Sequence, residues 1–363
     1  MVARTMKFSI AVRLLYNSGV PRIAIEEARN LNVPLYIYRD ASGIYDLSNI
    51  TYKILRKKNE KSIFTPIFTF ITSLYASNRG KDATVDLDLI IKAAKIIKGP
   101  ALFHDQFAGI TGYIRKLYYG EDYALYIHET ALPLKEFKRL FTNFVEKQVL
   151  KKSKVIITNS EKNRKILKDY GFNAKVVVPG CYPAPILPNE RERIILAVAT
   201  WDPSRKLEWY GKVARALSTK AKIIIAGTWT REDTKREFIK KFGNHVKIIE
   251  NLTDDELRLL YLKASVLIRF GFSNERGPGM GVIEALCNGT PVVVEEELGS
   301  SDLITDGVEG YRVKDVEDAI QKVEIILENP LYYSKNAWSK GKELSWLNHA
   351  KKLKEILEEK FDI

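Results

Sequence analysis

Two carboxylates and an arginine flank a run of glycines in the last third of this 363-residue sequence. In "FSNERGPGMGVIEALCNGTPVVVE", Phe272 to Glu295, Glu275 and Arg276 precede the loop Gly277, Pro278, Gly279, Met280, Gly281, and Glu284 follows it. A strand, a glycine loop and a helix start together make an anion or polyol site, because backbone N–H groups and the positive end of the helix point at the ligand. Glycines let a ligand come close to the backbone. A glutamate about one turn into the helix has acceptor oxygens for vicinal hydroxyls such as those of a ribose. A glutamate there also favours the helix dipole for purely structural reasons, and on this stretch alone the two readings stand level. The loop is not a P-loop, since no Gly-Lys-Ser/Thr follows it.

The elements that must position this loop alternate along the chain. "KFSIAV", "VPLYIYR", "PALFHD", "YALYIHE", "KVIITNS" and "AKVVVPG" read as strands, interleaved with the helical stretches "GVPRIAIEEARNL", "DLDLIIKAAKIIK", "LKEFKRLFTNFVEKQVLKKS" and "EKNRKILKDY". A second set follows, with strands "RIILAVAT", "AKIIIAG", "HVKIIE", "SVLIRF" and "TPVVVEE". The proline-rich "YPAPILPNERER", Tyr182 to Arg193, reads as the linker between them. The fold expected is α/β, with two doubly wound Rossmann-like domains facing a cleft. Residues 1–188 form one domain, which the amphipathic helix at about 345–363 rejoins; residues 189–344 form the other.

The net charge of +13 sits in one half: residues 1–188 hold 30 Lys+Arg against 16 Asp+Glu, and the rest hold 28 against 29. A basic half invites nucleic acid, an anionic membrane surface or a phosphorylated substrate, or else is the Lys-rich surface of a heat-adapted protein with only three Gln. No uncharged run reaches bilayer-spanning length; the longest, "SIFTPIFTFITSLYA" from Ser62 to Ala76, contains a proline. Arg13 interrupts any signal-peptide core. Cys181 and Cys287 have no metal-ligand or redox-motif spacing, which points to a reducing compartment and no structural zinc. These readings place the chain in the cytoplasm, with peripheral attachment to the inner face of a membrane as the remaining option. "DLD" at Asp86–Asp88 has the spacing of a D-x-D metal motif, but it opens a helical run as an ordinary solvated pair.

"GPGMGVIEALCNGTPVVV" resembles the nucleotide-sugar loop of family-4 glycosyltransferases, retaining enzymes of the GT-B fold also grouped as glycosyl transferases group 1. "SGVPRIAIEEARNL", "LFHDQFAG", "ALYIHE", "VIITNSEKNRKIL", "KVVVPGCYP", "LAVATWDPSRKLEWY" and "SWLNHAKKL" resemble further segments of that family, in the family's order. The likeness spans almost the whole chain; the segment 44–85 matches nothing in the pattern. It implies that Glu284 contacts the nucleotide ribose and that Arg205 and Lys206 neutralise the leaving diphosphate. It implies His128 as the first domain's contact with the reacting sugar, with His104 a weaker candidate, and Gly19 as a helix start at the cleft edge. Gly277, Gly279, Met280 and Gly281 would line the donor site. The family has a second glutamate seven residues before the ribose glutamate; here that place holds Arg276, with Glu275 one residue earlier, and an arginine has no acceptor capacity. A family arginine of the diphosphate site is Thr200 here.

The function expected is transfer of a hexose from a UDP- or GDP-linked sugar, without metal or other cofactor. The acceptor would be a glycan or a phosphorylated lipid carrier at an anionic membrane, docked through the basic Lys135–Lys154 helix and the Ser62–Ala76 run. The alternative is a non-catalytic or nucleic-acid-binding protein on the same scaffold, motivated by Arg276, Thr200 and the basic half. The first half lacks an aromatic-plus-basic RNA signature, so no nucleic-acid partner is expected.

Overall fold

The computed structural model describes residues 7–16, 18–41, 43–58, 60, 86–133, 140–203, 205–272 and 275–362. The run Ser62–Ala76 and the start of the Lys135–Lys154 helix lie outside them. The chain divides into two compact units, one reaching to Val178 and resuming at His349, the other running from Pro179 to Asn348.

The first unit is built on a seven-stranded parallel sheet of β1 (Ser9–Leu15), β2 (Leu35–Asp40), β3 (Tyr52–Arg56), β4 (Ala101–His104), β5 (Tyr123–Ile127), β6 (Val155–Thr158) and β7 (Ala174–Val176). Their order is β3-β2-β1-β4-β5-β6-β7. The central strands are nearly all buried, as strands covered by helices on both faces must be, which explains their unbroken apolar runs. The helices are α1 (Gly19–Leu31), α2 (Leu87–Ile96), α3 (Gly109–Tyr119), α4 (Leu140–Lys152) and α5 (Glu161–Asp169). α5 starts on Ser160, whose side chain accepts from the Asn163 N–H. The strand order reverses between β1 and β4, the switch point where ligands of doubly wound sheets bind.

The second unit repeats the plan with six parallel strands, β8 (Glu192–Val198), β9 (Lys222–Ala226), β10 (Lys247–Ile249), β11 (Ala264–Arg269), β12 (Val292–Glu295) and β13 (Gly310–Val313), ordered β10-β9-β8-β11-β12-β13. Its helices are α6 (Leu207–Leu217), α7 (Glu232–Phe242), α8 (Asp254–Lys263), α9 (Met280–Cys287), α10 (Val316–Glu328) and α11 (Pro330–Glu343). α8 opens on a capping box between Thr253 and Glu256. The last helix, α12 (Trp346–Phe361), begins in this unit and passes into the first after Asn348. There Phe361 packs edge-on against Phe8, with ring centroids 5.4 Å apart. The reading of two Rossmann-like units with a returning C-terminal helix therefore holds. β3, α3, β13, α10 and α11 have no counterpart in the sequence reading.

Two expectations are corrected. The proline-rich linker is packed within the second unit: Ala184 N–H donates to the Cys287 carbonyl at 2.9 Å, and Trp338 Nε1 donates to the Ala184 carbonyl at 2.8 Å. The chain instead crosses between units at Val178–Pro179. Prolines there serve a fixed extended path, with no N–H to satisfy, rather than a loose tether. Cys181 and Cys287, expected as separate thiols, are joined in a disulfide with Cα atoms 6.3 Å apart, across a sequence separation of 106.

Candidate functional site

The second unit's switch point lies between β8 and β11, and the cations of the sequence reading collect at the carboxyl ends of these strands. Arg205 follows β8 on a turn in which its N–H donates to the Asp202 carbonyl at 3.1 Å and its Nε to the Thr200 carbonyl at 3.1 Å. Its guanidinium pairs with Glu275, and so does that of Arg269, the last residue of β11. Lys206, at φ 31° just before α6, pairs with Glu295 at the end of β12 and lies 4.5 Å over the Trp209 ring. Glu295 also accepts from the Gly271 N–H at 3.2 Å. Buried Tyr210 pins the backbone beneath this cluster, accepting from the Phe270 N–H at 2.7 Å and donating to the Phe270 carbonyl at 2.8 Å. Three cations and two carboxylates thus gather at the carboxyl ends of the second unit's strands.

The glycine loop packs beside it. The Gly299 N–H donates to the Glu275 carbonyl at 2.9 Å, and a Cβ on Gly299 would lie 1.7 Å from the Arg276 carbonyl oxygen, so only glycine permits this approach. Gly279 takes φ 69° to turn the chain into α9, which Met280 opens; Gly277 and Arg276 are half-buried on the loop before it. Of the two candidates on that loop, Glu275 is the one whose carboxylate lies in the cation cluster. Its Oε1 is buried with no hydrogen-bond partner among the described residues. Glu284, half-buried on α9, accepts at 3.3 Å from the hydroxyl of Tyr261, which comes from α8. Gly281, one turn earlier, faces the same hydroxyl: a Cβ there would lie 3.3 Å from it and 3.6 Å from the Val198 carbonyl at the end of β8. Buried Arg191 ties these elements together, donating to the carbonyls of Tyr261, Leu262 and Asn288 at 2.7, 2.8 and 2.7 Å and to Ser334 Oγ at 2.8 Å. Burial pushes its guanidinium down to about 10.

In the first unit the structure brings His128 and His104 together. His128 follows β5 and His104 ends β4, with His104 Nδ1 2.9 Å from His128 Nε2 and Tyr126 stacked 4.4 Å from His128. His104 Nε2 lies 2.8 Å from Glu27 Oε2, on α1. Glu27 Oε1 is 2.9 Å from His349 Nε2, on α12, and His349 Nδ1 is 2.7 Å from the Val178 carbonyl. All four side chains are buried. Burial raises the Glu27 carboxyl, but the charge and hydrogen bonds of His104 and His349 outweigh it and hold the group at about 2. Burial, helped by His104, pushes His128 well below the usual imidazole range. The strand end is held by Asp105, at φ 76°, whose Oδ1 accepts from the Phe107 and Ala108 N–H groups at 2.7 and 2.8 Å and so starts the turn into α3. Gly19 is the first residue of α1.

The sequence reading missed Arg269, Glu295, Tyr261, Glu27 and His349. Arg269 and Glu295 do stand at the carboxyl ends of apolar strands, which is a usable signal in a doubly wound sheet; the other three show none. Among the described residues no group of three His, Cys, Asp or Glu converges as a metal site. Asp86 and Asp88 are both ion-paired with Arg56. No helix among the described residues is long and apolar enough to cross a membrane.

Known proteins resemble this chain in sequence and in fold. Residues 182–343 match the family described as Glycosyl transferases group 1. Trehalose synthase of Pyrococcus horikoshii is 29% identical over 163 residues, covering 41% of this chain and 39% of that protein. Trehalose synthase of Thermococcus litoralis is 30% identical over 149 residues, covering 38% and 36%. The match thus spans less than two fifths of those relatives. Among solved structures, Anabaena HepE in complex with UDP and glucose superposes with a TM-score of 0.74 at 14% identity, covering 96% of this chain and 99% of that one. Sucrose-phosphate synthase of Thermosynechococcus elongatus gives 0.71 at 15%, covering 97% and 98%. The chain has the two-sheet Rossmann-like fold of the GT-B glycosyltransferases, and its second unit carries the group 1 glycosyltransferase match.

Proposed function

We propose that this protein is a retaining glycosyltransferase that moves a hexose from a nucleoside-diphosphate sugar to a hydroxyl acceptor. The observation that carries the reading is the convergence of Arg205, Lys206 and Arg269 on Glu275 and Glu295 at the second unit's switch point, beside a glycine loop and Glu284. Glu284, oriented by Tyr261, grips the ribose hydroxyls; the three cations receive the diphosphate as negative charge grows on it. Gly277, Gly279, Met280 and Gly281 line the donor, and Glu275 is the carboxylate available to sugar hydroxyls once the diphosphate takes up its arginines. The bond from the sugar's anomeric carbon to phosphate breaks, the acceptor oxygen bonds that carbon on the same face, and the acceptor's proton passes to the departing phosphate oxygen. UDP- and GDP-sugars are the donors of choice, and the reaction uses no metal or other cofactor. That HepE was solved with UDP supports the donor class.

The acceptor fits a glycan or phosphorylated lipid carrier at an anionic, inward-facing membrane surface, because the basic excess lies within residues 1–188. A free sugar acceptor is the second reading, favoured by the names of the relatives, trehalose synthase and sucrose-phosphate synthase. The disulfide suits a cytoplasmic location in a heat-adapted cell, where intracellular disulfides are common. The test is a panel of nucleotide sugars against free sugars and lipid extract, with wild type and Glu284→Gln. Transfer should fall at least about tenfold in the variant through loss of donor affinity. Full activity in Glu284→Gln would remove the site assignment.

A further inference from the structure

Three of the chain's four histidines are linked through one carboxylate, His104 and His349 directly and His128 by way of His104, and the donor and acceptor rules leave few places for the protons. The Val178 carbonyl only accepts, so His349 Nδ1 carries a hydrogen. An ionised Glu27 only accepts, so the Nε2 atoms of His104 and His349 that face it carry hydrogens as well. His349 is thereby protonated on both nitrogens and forms a buried ion pair with Glu27. The gap between His104 Nδ1 and His128 Nε2 holds one further hydrogen.

If that hydrogen sat on His104, the ring would be a second cation with no second carboxylate bonded to His104 or His128 among the described residues. An uncompensated buried charge is costly. On His128 the same hydrogen leaves the cluster neutral overall, with every inward-facing nitrogen satisfied. His128 Nδ1 is then a bare lone pair, and it is the one ring nitrogen of the cluster that lacks a partner among the described residues.

From this geometry we infer that Glu27, acting through His104, is a positioning residue that fixes His128 in its Nε2–H tautomer and presents Nδ1 as an acceptor for a substrate hydroxyl. The proton arrangement follows from the hydrogen-bond geometry around an ionised Glu27; only the identity of the ligand as a sugar hydroxyl rests on the proposed function. His349 extends the device to the last helix, and its imidazolium favours the ionised form of the buried Glu27.

The test is long-range proton–nitrogen correlation NMR on the full-length protein labelled only in histidine, where four rings are to be assigned. At neutral pH the expected result is His349 protonated on both nitrogens and His128 carrying its hydrogen on Nε2 alone. In Glu27→Gln the carboxamide offers its oxygen to His104 and its N–H to His349, so His349 loses one proton while His128 keeps its tautomer. In His104→Phe the lock is removed: His128 shows both tautomers, and kcat falls roughly tenfold to a hundredfold while KM for the donor is unchanged. A wild-type His128 with its hydrogen on Nδ1, or on both nitrogens, overturns the inference, and so does a His128 spectrum unmoved by His104→Phe. Absence of transfer from any nucleotide sugar would sink the functional reading while leaving the tautomer result to decide this one.

Discussion

Arg191→Met removes the guanidinium that binds the end of α8 to the end of α9 while keeping most of the aliphatic volume. Its four shortest hydrogen bonds disappear, to the carbonyls of Tyr261, Leu262 and Asn288 and to Ser334, together with longer contacts that add little. At about 1.5 kcal/mol each, the low end for a charged donor, they contribute about 6 kcal/mol. Burial opposes this: a guanidinium held at about 10 instead of 12.5 is disfavoured in its charged form by about 3 kcal/mol. The net loss expected is about 3 kcal/mol, confined to the second unit. All five tryptophans, Trp201, Trp209, Trp229, Trp338 and Trp346, lie in that unit, so their fluorescence during urea unfolding reports on it alone. With a urea dependence of about 2 kcal/mol per molar, the midpoint should drop by about 1.5 M. Exposed Arg193→Met serves as the control and should not shift. A drop below about 0.5 M in Arg191→Met would refute the claim that this arginine clamps α8 to α9.

Tyr261→Phe deletes the donor to Glu284 and should weaken UDP or GDP binding about two- to tenfold by calorimetry, with stability changed by less than about 1 kcal/mol. The disulfide closes a long loop, so reduction should destabilise the second unit by up to about 4–5 kcal/mol in the same fluorescence assay, and a Cys181→Ser, Cys287→Ser double variant should ignore reductant. The first unit should lose stability as pH falls. Unfolded His128 takes up a proton near 6.5 and unfolded Glu27 near 4.5, whereas the folded groups resist protonation until lower pH, His128 well below 6.5 and Glu27 down to about 2. Hydrogen exchange of first-unit amides across pH 7 to 4 checks this, and His128→Phe should abolish the part of the decline that begins near 6.5.

The glycine loop with Glu284 could be read in one dimension because its chemistry is local: a strand end, a turn that needs glycine and a helix start are neighbours in the chain. The same holds for the apolar strand runs, which buried parallel strands require. Arg205 and Lys206 were found through resemblance, but their ion pairs with Glu275 and Glu295 join residues 70 and 89 positions apart, which no local pattern encodes. The buried cluster is less legible still. Glu27 lies 77 residues from His104 and 322 from His349, in a helix whose sequence reads as ordinary amphipathic surface and core. β3 escaped notice because it borders a stretch that matches nothing in the family pattern, and an edge strand of five residues with exposed positions has little periodicity to show.

The place of His349 on α12 has a consequence for how the protein is made. The ribosome delivers Glu27 and His104 early, then synthesises all of Pro179–Asn348 before His349 emerges. At about 5–20 residues per second that interval is on the order of ten to thirty seconds. Throughout it Glu27 lacks the cation that the finished unit supplies. The unit that begins translation first is therefore completed last, by a helix that follows directly on the second unit.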